Sequence, residues 1–228
     1  VIHGFRTIFP MPLALAAAWD PGLVEQVQTV AAREARASGI NWTFAPMVDI
    51  ARDPRWGRIS EGSGEDPFLG CAMARARVRG FQGANLAAAD SLLACVKHYA
   101  AYGAAQAGRD YNTVDLSERT LREVYLPPYR AAIEAGALSV MTSFNELNGT
   151  PATANRFLLQ QVLRDEWGFR GFVVTDYTSI NEMVTHGSAA DEADAARQAL
   201  IAGVDMDMQG GVYLTHLKSL LAAGKISE

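Results

Sequence analysis

Short apolar runs recur along this chain, each closed by polar or charged residues, and amphipathic stretches separate them. Ile40 to Val48 ends on Asp49, and Leu92 to Val96 ends on Lys97-His98. Ala137 to Thr142 runs into Ser143 and Asn145, Phe172 to Thr175 into Asp176, and the segment from Gly203 into Asp205 and Asp207. Continuous runs of this length, with many β-branched residues, read as buried parallel strands. The helices between them carry clear start and stop signals. Asp20-Pro21 opens one, with Leu23, Val27, Val30, Ala31 and Ala35 as its predicted inner face and Gly39 as its stop. Asp66-Pro67 opens the next, which runs to about Gly83. Ser117 caps a third, with a kink expected at Pro127-Pro128 and an end at Gly136. Asn155 caps a fourth with Leu158, Leu159, Val162 and Leu163 on one face. Two more are expected, near 191–202 and up to about Ala223. Val1 to Pro12 reads as a short strand and loop with His3 at the turn, and Asn148-Gly149 reads as a tight turn.

Strand and helix alternating with short turns is the pattern of a parallel α/β protein. No Gly-x-Gly-x-x-Gly turn follows a strand and no Gly-Lys-Ser/Thr loop occurs, so dinucleotide and P-loop folds lose ground. A (β/α)8 TIM-type barrel fits better. About five strands are visible where such a barrel has eight, and the first is at best partial. Parallel barrel strands deliver their C-terminal ends to one face, so the polar groups that close them should converge on one pocket.

Composition narrows the chemistry. The 228 residues carry a net charge of -5 with no basic block, which argues against nucleic acid or an anionic membrane surface as a partner. No apolar run approaches the roughly 20 residues of a membrane span. Cys71 and Cys95 are isolated and read as small buried residues, and the four histidines are scattered. Neither a metal nor another cofactor is expected. The chain opens on Val1-Ile-His-Gly4 with no initiator Met, so a longer parent polypeptide is expected and the compartment stays open.

Carboxylates, a cation, an imidazole and hydroxyls around one pocket suit a polyhydroxylated ligand, whose hydroxyls both donate and accept. Asp176 is the candidate nucleophile, and a structural Asp capping the helix from Thr178 or Ser179 is the competing reading. Lys97 and His98 are candidate ligand contacts. A Schiff-base lysine of the aldolase kind is an alternative for Lys97, which adjacent carboxylates disfavour. Arg58 would be a forked donor to hydroxyls, or else a partner of Glu61 or Glu65. Trp42, Trp56, Tyr111, Phe144 and Tyr177 are candidate stacking surfaces, core packing being the commoner fate for all but Tyr177.

Taken together, Arg52-Asp-Pro-Arg-Trp-Gly-Arg58, Glu61-Gly-Ser-Gly-Glu-Asp66, Val96-Lys-His98, Met141-Thr-Ser-Phe-Asn145 with Asn148-Gly149, Val174-Thr-Asp176-Tyr177 and Gly203-Val-Asp-Met-Asp207 appear in that order. The series resembles the N-terminal barrel domain of glycoside hydrolase family 3 β-glucosidases, over essentially all of residues 1–228. The resemblance implies a retaining β-glycosidase acting on terminal β-D-glucosyl residues, with Asp176 as nucleophile. It places Arg58, Lys97 and His98 on the sugar hydroxyls and Met141 and Phe144 along the pocket. Tyr177 stands where relatives often carry Trp, and Tyr111 lies in a loop that feeds the pocket. It also implies a second α/β domain that supplies the acid/base Glu, and a sugar-binding Asp just upstream of Val1. Glu146 and Glu182 could take the acid/base role by position alone, and neither is convincing. The N-acetylglucosaminidase branch has a catalytic His after Lys-His, and the loop Tyr99 to Gly108 has none. A periplasmic or secreted location is favoured by the resemblance, with the cytoplasm open. A non-catalytic sugar-binding barrel is the remaining alternative.

Overall fold

The computed structural model describes residues 6–227. The expected turn at His3 and the first part of the expected strand lie outside them, and 6–11 form no regular element. Helix α1, Pro12–Ala17, was not anticipated; Pro12 sits in its first turn, where proline's missing N–H costs nothing. Helix α2 spans Pro21–Ala37, and its N-cap Asp20 accepts from Leu23 N at 2.9 Å. Its buried face is Val24, Gln28, Ala32 and Ala35, turned from the predicted one; Leu23 and Val30 face outward. The reason lies in helix α3, Pro67–Gln82, which crosses α2 closely. A Cβ on Gly80 would stand 2.4 Å from the Glu25 carbonyl and 2.6 Å from Gln28 Cβ, so this contact excludes bulk and selects the stripe that runs through Gln28.

Three strands, β1 (Cys95–Tyr99), β2 (Ser139–Thr142) and β5 (Phe172–Val174), form a parallel sheet in the order β1-β2-β5. Cys95 pairs with Ser139, and Met141 with Val174. The 42–48 segment flanks β1 through Trp42↔Leu93 and Met47↔Lys97, and the segment after 204 flanks β5 through Val174↔Met206. All five expected runs therefore stand side by side in chain order as staves of a TIM-type barrel. Between β1 and β2, Ser117 caps α4 (Glu118–Thr120), which widens into a π-helical turn, Leu121–Tyr125. Helix α5, Pro127–Glu134, starts afresh at the expected prolines. Asn148 (φ 51°) and Gly149 (φ 83°) turn the hairpin of β3 (Glu146–Leu147) and β4 (Thr150–Pro151), as two positive φ angles require. The π-helical segment Phe157–Glu166, capped by Asn155, buries the four predicted leucine and valine side chains. Helices α6 (Ser179–Thr185), α7 (Glu192–Ala202) and α8 (Val212–Ala222) complete the described chain.

Strand alternation divides the core. Val96, Val140 and Val173 point toward the helices and join the large core. Cys95, Met141 and Val174 point the other way and pack with Trp42, Phe172 and Met208 inside the ring of staves.

Candidate active site

Asp176 lies two residues beyond the inward-facing Val174 and so keeps its parity, at the C-terminal mouth of the staves. Its side chain is 13% exposed. Oδ1 accepts from the Tyr177 N–H at 2.7 Å. The capping role does not hold: Thr178 is the N-cap of α6, without a side-chain bond, and Asp176 gives only its backbone carbonyl to Ser179 N. The carboxylate instead faces His98, with Nε2 3.6 Å from Oδ2. That Nε2 is buried and has no hydrogen-bond partner among the described residues.

His98 is held from behind. Asp49 Oδ2 accepts from the His98 backbone N–H at 3.0 Å and lies 2.8 Å from Nδ1. A carboxylate only accepts, so Nδ1 carries the hydrogen and Nε2 is left for the cup. The Tyr129 hydroxyl lies against Asp49 Oδ1 and the His98 carbonyl, and can donate to one at a time. Burial first, and Asp49 second, push the Tyr129 phenol well above its ordinary range. Asp49 was visible in the sequence as a strand-end acid, though its duty as orienter was not; nothing local signalled Tyr129.

Lys97 follows Cys95 at inward parity and is half-buried. Arg58 grips Glu61 with a fork, Nε to Oε1 at 2.7 Å and Nη2 to Oε2 at 3.0 Å. Burial works against the Arg58 charge, but the Glu61 bonds outweigh it and its pKa is raised. Burial likewise disfavours the Glu61 carboxylate, while Arg58 and then Lys97 and His98 more than restore it, and its pKa is lowered. Arg58, Lys97 and His98 thus share one electrostatic neighbourhood, and the Arg58 fork leaves Nη1 uncommitted among the described residues. The Schiff-base alternative for Lys97 gains no support, since Lys97 shares the electrostatic neighbourhood of the Glu61 carboxylate.

Tyr111 and Phe144 stack at 4.5 Å and 26° on the rim, and Tyr111 is 43% exposed. Burial first, then Glu182 and Asp176, push the Tyr111 phenol up to about 12. Tyr177 stands open beside Asp176, 55% exposed. Met141 is buried beneath them, with Cys95 and Val174. Two aromatic candidates belong to the scaffold: Trp56 Nε1 donates to Asp110 and Trp42 Nε1 to Ser139.

The expected convergence of all strand-end polar groups fails for several. Asp205 binds Arg164 at 2.6 Å and Val173 N at 2.7 Å, away from the cup. Asp207 accepts from Val212 N at 2.8 Å, at the start of α8. Thr142 joins a buried hydroxyl chain through Thr153 to Ser179. Ser143 and Asn145 point at the Ala100 carbonyl. Glu146 binds Gly149 N within the hairpin. Glu182 is different: its Oε2 is buried without a partner, and burial, opposed by His186 and aided by Asp176, raises its pKa.

The chain as a whole has close counterparts. Residues 1–228 match the family described as glycosyl hydrolase family 3 N terminal domain. A protein named periplasmic beta-glucosidase from Salmonella typhimurium is 50% identical over 227 residues, which cover 100% of this chain and 30% of that protein. A beta-xylosidase from Formosa agariphila is 41% identical over 90% of this chain and 29% of its own length. The crystal structure of a beta-glucosidase from Listeria innocua superposes with a TM-score of 0.95 at 48% identity, covering 100% of this chain and 32% of that one. The chain spans about a third of the length of these relatives. It belongs to glycosyl hydrolase family 3, as the N-terminal domain of that family.

Proposed function

We propose that this chain is the nucleophile-bearing part of a retaining β-glycosidase that removes terminal β-D-glucosyl residues. The observation that carries the reading is the pairing of Asp176 with an unpartnered, buried His98 Nε2 at 3.6 Å. A buried polar atom without a partner costs free energy, and a sugar hydroxyl is a group that both donates and accepts. Asp176 attacks the anomeric carbon, and the glycosidic C–O bond breaks as the ester to Asp176 forms. A second carboxyl, about 5 Å away in retaining enzymes, gives its proton to the leaving oxygen and then takes one from the water that cleaves the ester. We assign that second group to a Glu on another domain of the intact protein, as the family resemblance implies; among the described residues Glu146 is committed to its hairpin, and Glu182, whose pKa burial raises, is the one competing carboxyl. Lys97, His98 and Arg58 Nη1 hold hydroxyls, while Tyr177 and the Tyr111–Phe144 pair offer ring faces to the sugar and its aglycone.

Glucose is favoured over xylose by the names of the 50% and 48% identical relatives, and by a Listeria innocua enzyme structure solved in complex with glucose. The Salmonella relative's name supports a periplasmic or secreted location. The deciding experiment is Asp176→Asn in the intact protein, assayed on an aryl β-glucoside and by calorimetry with glucose. Turnover should fall by at least about a thousandfold with sugar binding retained, as expected when the bond-forming group alone is lost. Retained turnover, or loss of folding in step with activity, would make Asp176 a structural residue.

A further inference from the structure

Tyr102 lies in the loop after β1, and no sequence signal marks it as functional. Its side chain is fully buried, at 0% exposure. Four rings surround it edge-on: His98 at 5.2 Å, Trp56 at 5.3 Å, Phe144 at 6.1 Å and Tyr111 at 6.2 Å between centroids. The Arg58 guanidinium carbon stands 5.5 Å from the ring centre, within cation–π range. One side chain therefore neighbours the imidazole, the guanidinium and the aromatic rim, parts of the cup that come from well-separated stretches of chain.

The backbone fixes that ring firmly. Ala101 adopts φ 64°, and the next glycine presses its backbone on the first loop, since a Cβ at Gly103 would lie 2.2 Å from the Ile50 carbonyl. Ser143 N donates to the Tyr99 carbonyl at 2.9 Å, and Ser143 and Asn145 brace Ala100. The hydroxyl is buried, lies near Asp110 and Arg58, and has no hydrogen-bond partner within bonding geometry among the described residues.

Resting on the site reading above, we infer that the Tyr102 ring is the positioning residue of the sugar cup: its π face holds the Arg58 guanidinium, and its edges set His98 and the Tyr111–Phe144 pair. Tyr102 does not touch the reacting atoms; it fixes the side chains that do. The ring matters and the hydroxyl does not. Arg58 gains from this because its fork is spent on Glu61, so the cation–π contact with Tyr102 is what further fixes the guanidinium and its remaining Nη1.

The test replaces Tyr102 in the intact protein with Phe, with Leu, and with a series of progressively fluorinated phenylalanines, which keep the ring's shape while draining its π face. Calorimetry with glucose and kinetics on an aryl β-glucoside are the readouts. Tyr102→Leu should weaken glucose binding by about tenfold, mainly through KM, and Tyr102→Phe should restore it to within about threefold. Across the fluorinated set, which packs like Phe and keeps the fold testable, log Kd should rise steadily with fluorine count. In an Arg58→Ala background the fluorine trend should vanish, because the two act as one unit. A flat fluorine series beside a strong Arg58→Ala loss would overturn the role of Tyr102 and leave the glycosidase reading intact. If Asp176→Asn and Arg58→Ala both leave turnover and glucose binding unchanged, the reading beneath it fails instead.

Discussion

Asp49 gives the sharpest check on how the scaffold serves the cup. Its carboxylate has no solvent exposure and meets three groups: the His98 N–H, His98 Nδ1–H and the Tyr129 hydroxyl. In Asp49→Ala the Tyr129 hydroxyl keeps the His98 carbonyl, but both His98 donors lose their acceptor in a dry interior. Each orphaned donor costs about 1–3 kcal/mol, so the change should destabilise by about 2–6 kcal/mol. For a domain of this size that is a fall of roughly 5–20 °C in melting midpoint. Asp49→Asn is the informative control. With its amide oxygen in the Oδ2 place it still accepts both His98 hydrogens, and its NH2 can donate to the Tyr129 oxygen. It loses charge assistance alone, about 1–2 kcal/mol. Activity should follow the same ranking, because a ring free to rotate no longer aims Nε2 beside Asp176; about 3–10-fold in kcat/KM for Ala fits the loss of one hydrogen bond to the sugar. The assay is thermal unfolding of the intact protein by tryptophan fluorescence, with kinetics alongside. If Ala and Asn melt together, or Ala melts within about 2 °C of the parent, Asp49 does not hold His98 as described.

Two further outcomes follow from the same geometry. Asp205→Asn removes the Arg164 ion pair and weakens the bond from Val173 N, on a side chain that never enters the cup; the melting midpoint should drop by a few degrees with kcat/KM unchanged within about twofold, and a tenfold kinetic loss would place Asp205 in the site. The Cys95 thiol is fully buried and pushed up to about 12, first by desolvation, so it should resist alkylation by iodoacetamide in the native protein at pH 8, where native labelling at the rate seen in urea would contradict the packing inside the staves.

The strands, most helix starts and the two hairpin-turn residues were legible because each rests on local chemistry. Asp20, Asp66, Ser117, Asn155 and Asp191 all cap with their side chains, and a cap needs only three or four residues of context. The inner face of α2 was not legible, since the stripe was chosen by a close crossing of Gly80 against Gln28, residues far apart in the sequence. Tyr129 and Tyr102 escaped notice for the same reason: one reaches His98 across 31 residues of sequence and the other unites rings from several loops. Asp176, Lys97 and His98 were visible because a charge at the end of an apolar run is rare enough to stand out.

Which strand-end charges reach the cup is settled by parity, and parity is readable once one register is known. Phe172, Val174 and Asp176 alternate onto the inner side, as do Cys95 and Lys97, so Asp176 and Lys97 arrive in the same cup. On the neighbouring stave Met208 is the inward residue, which sends Asp205 and Asp207 to the opposite side, where Arg164 and the start of α8 receive them. His98 breaks the rule, because by alternation it should follow Val96 toward the helices. The β1–β2 register shifts between Val96 and Tyr99, and irregularities of this kind re-aim side chains next to active sites. The irregular strand end then needs its own anchor, and Asp49 supplies it by binding both the backbone N–H and the ring of His98. The imidazole therefore reaches Asp176 through a departure from regular strand geometry that a buried carboxylate on the preceding stave holds in place.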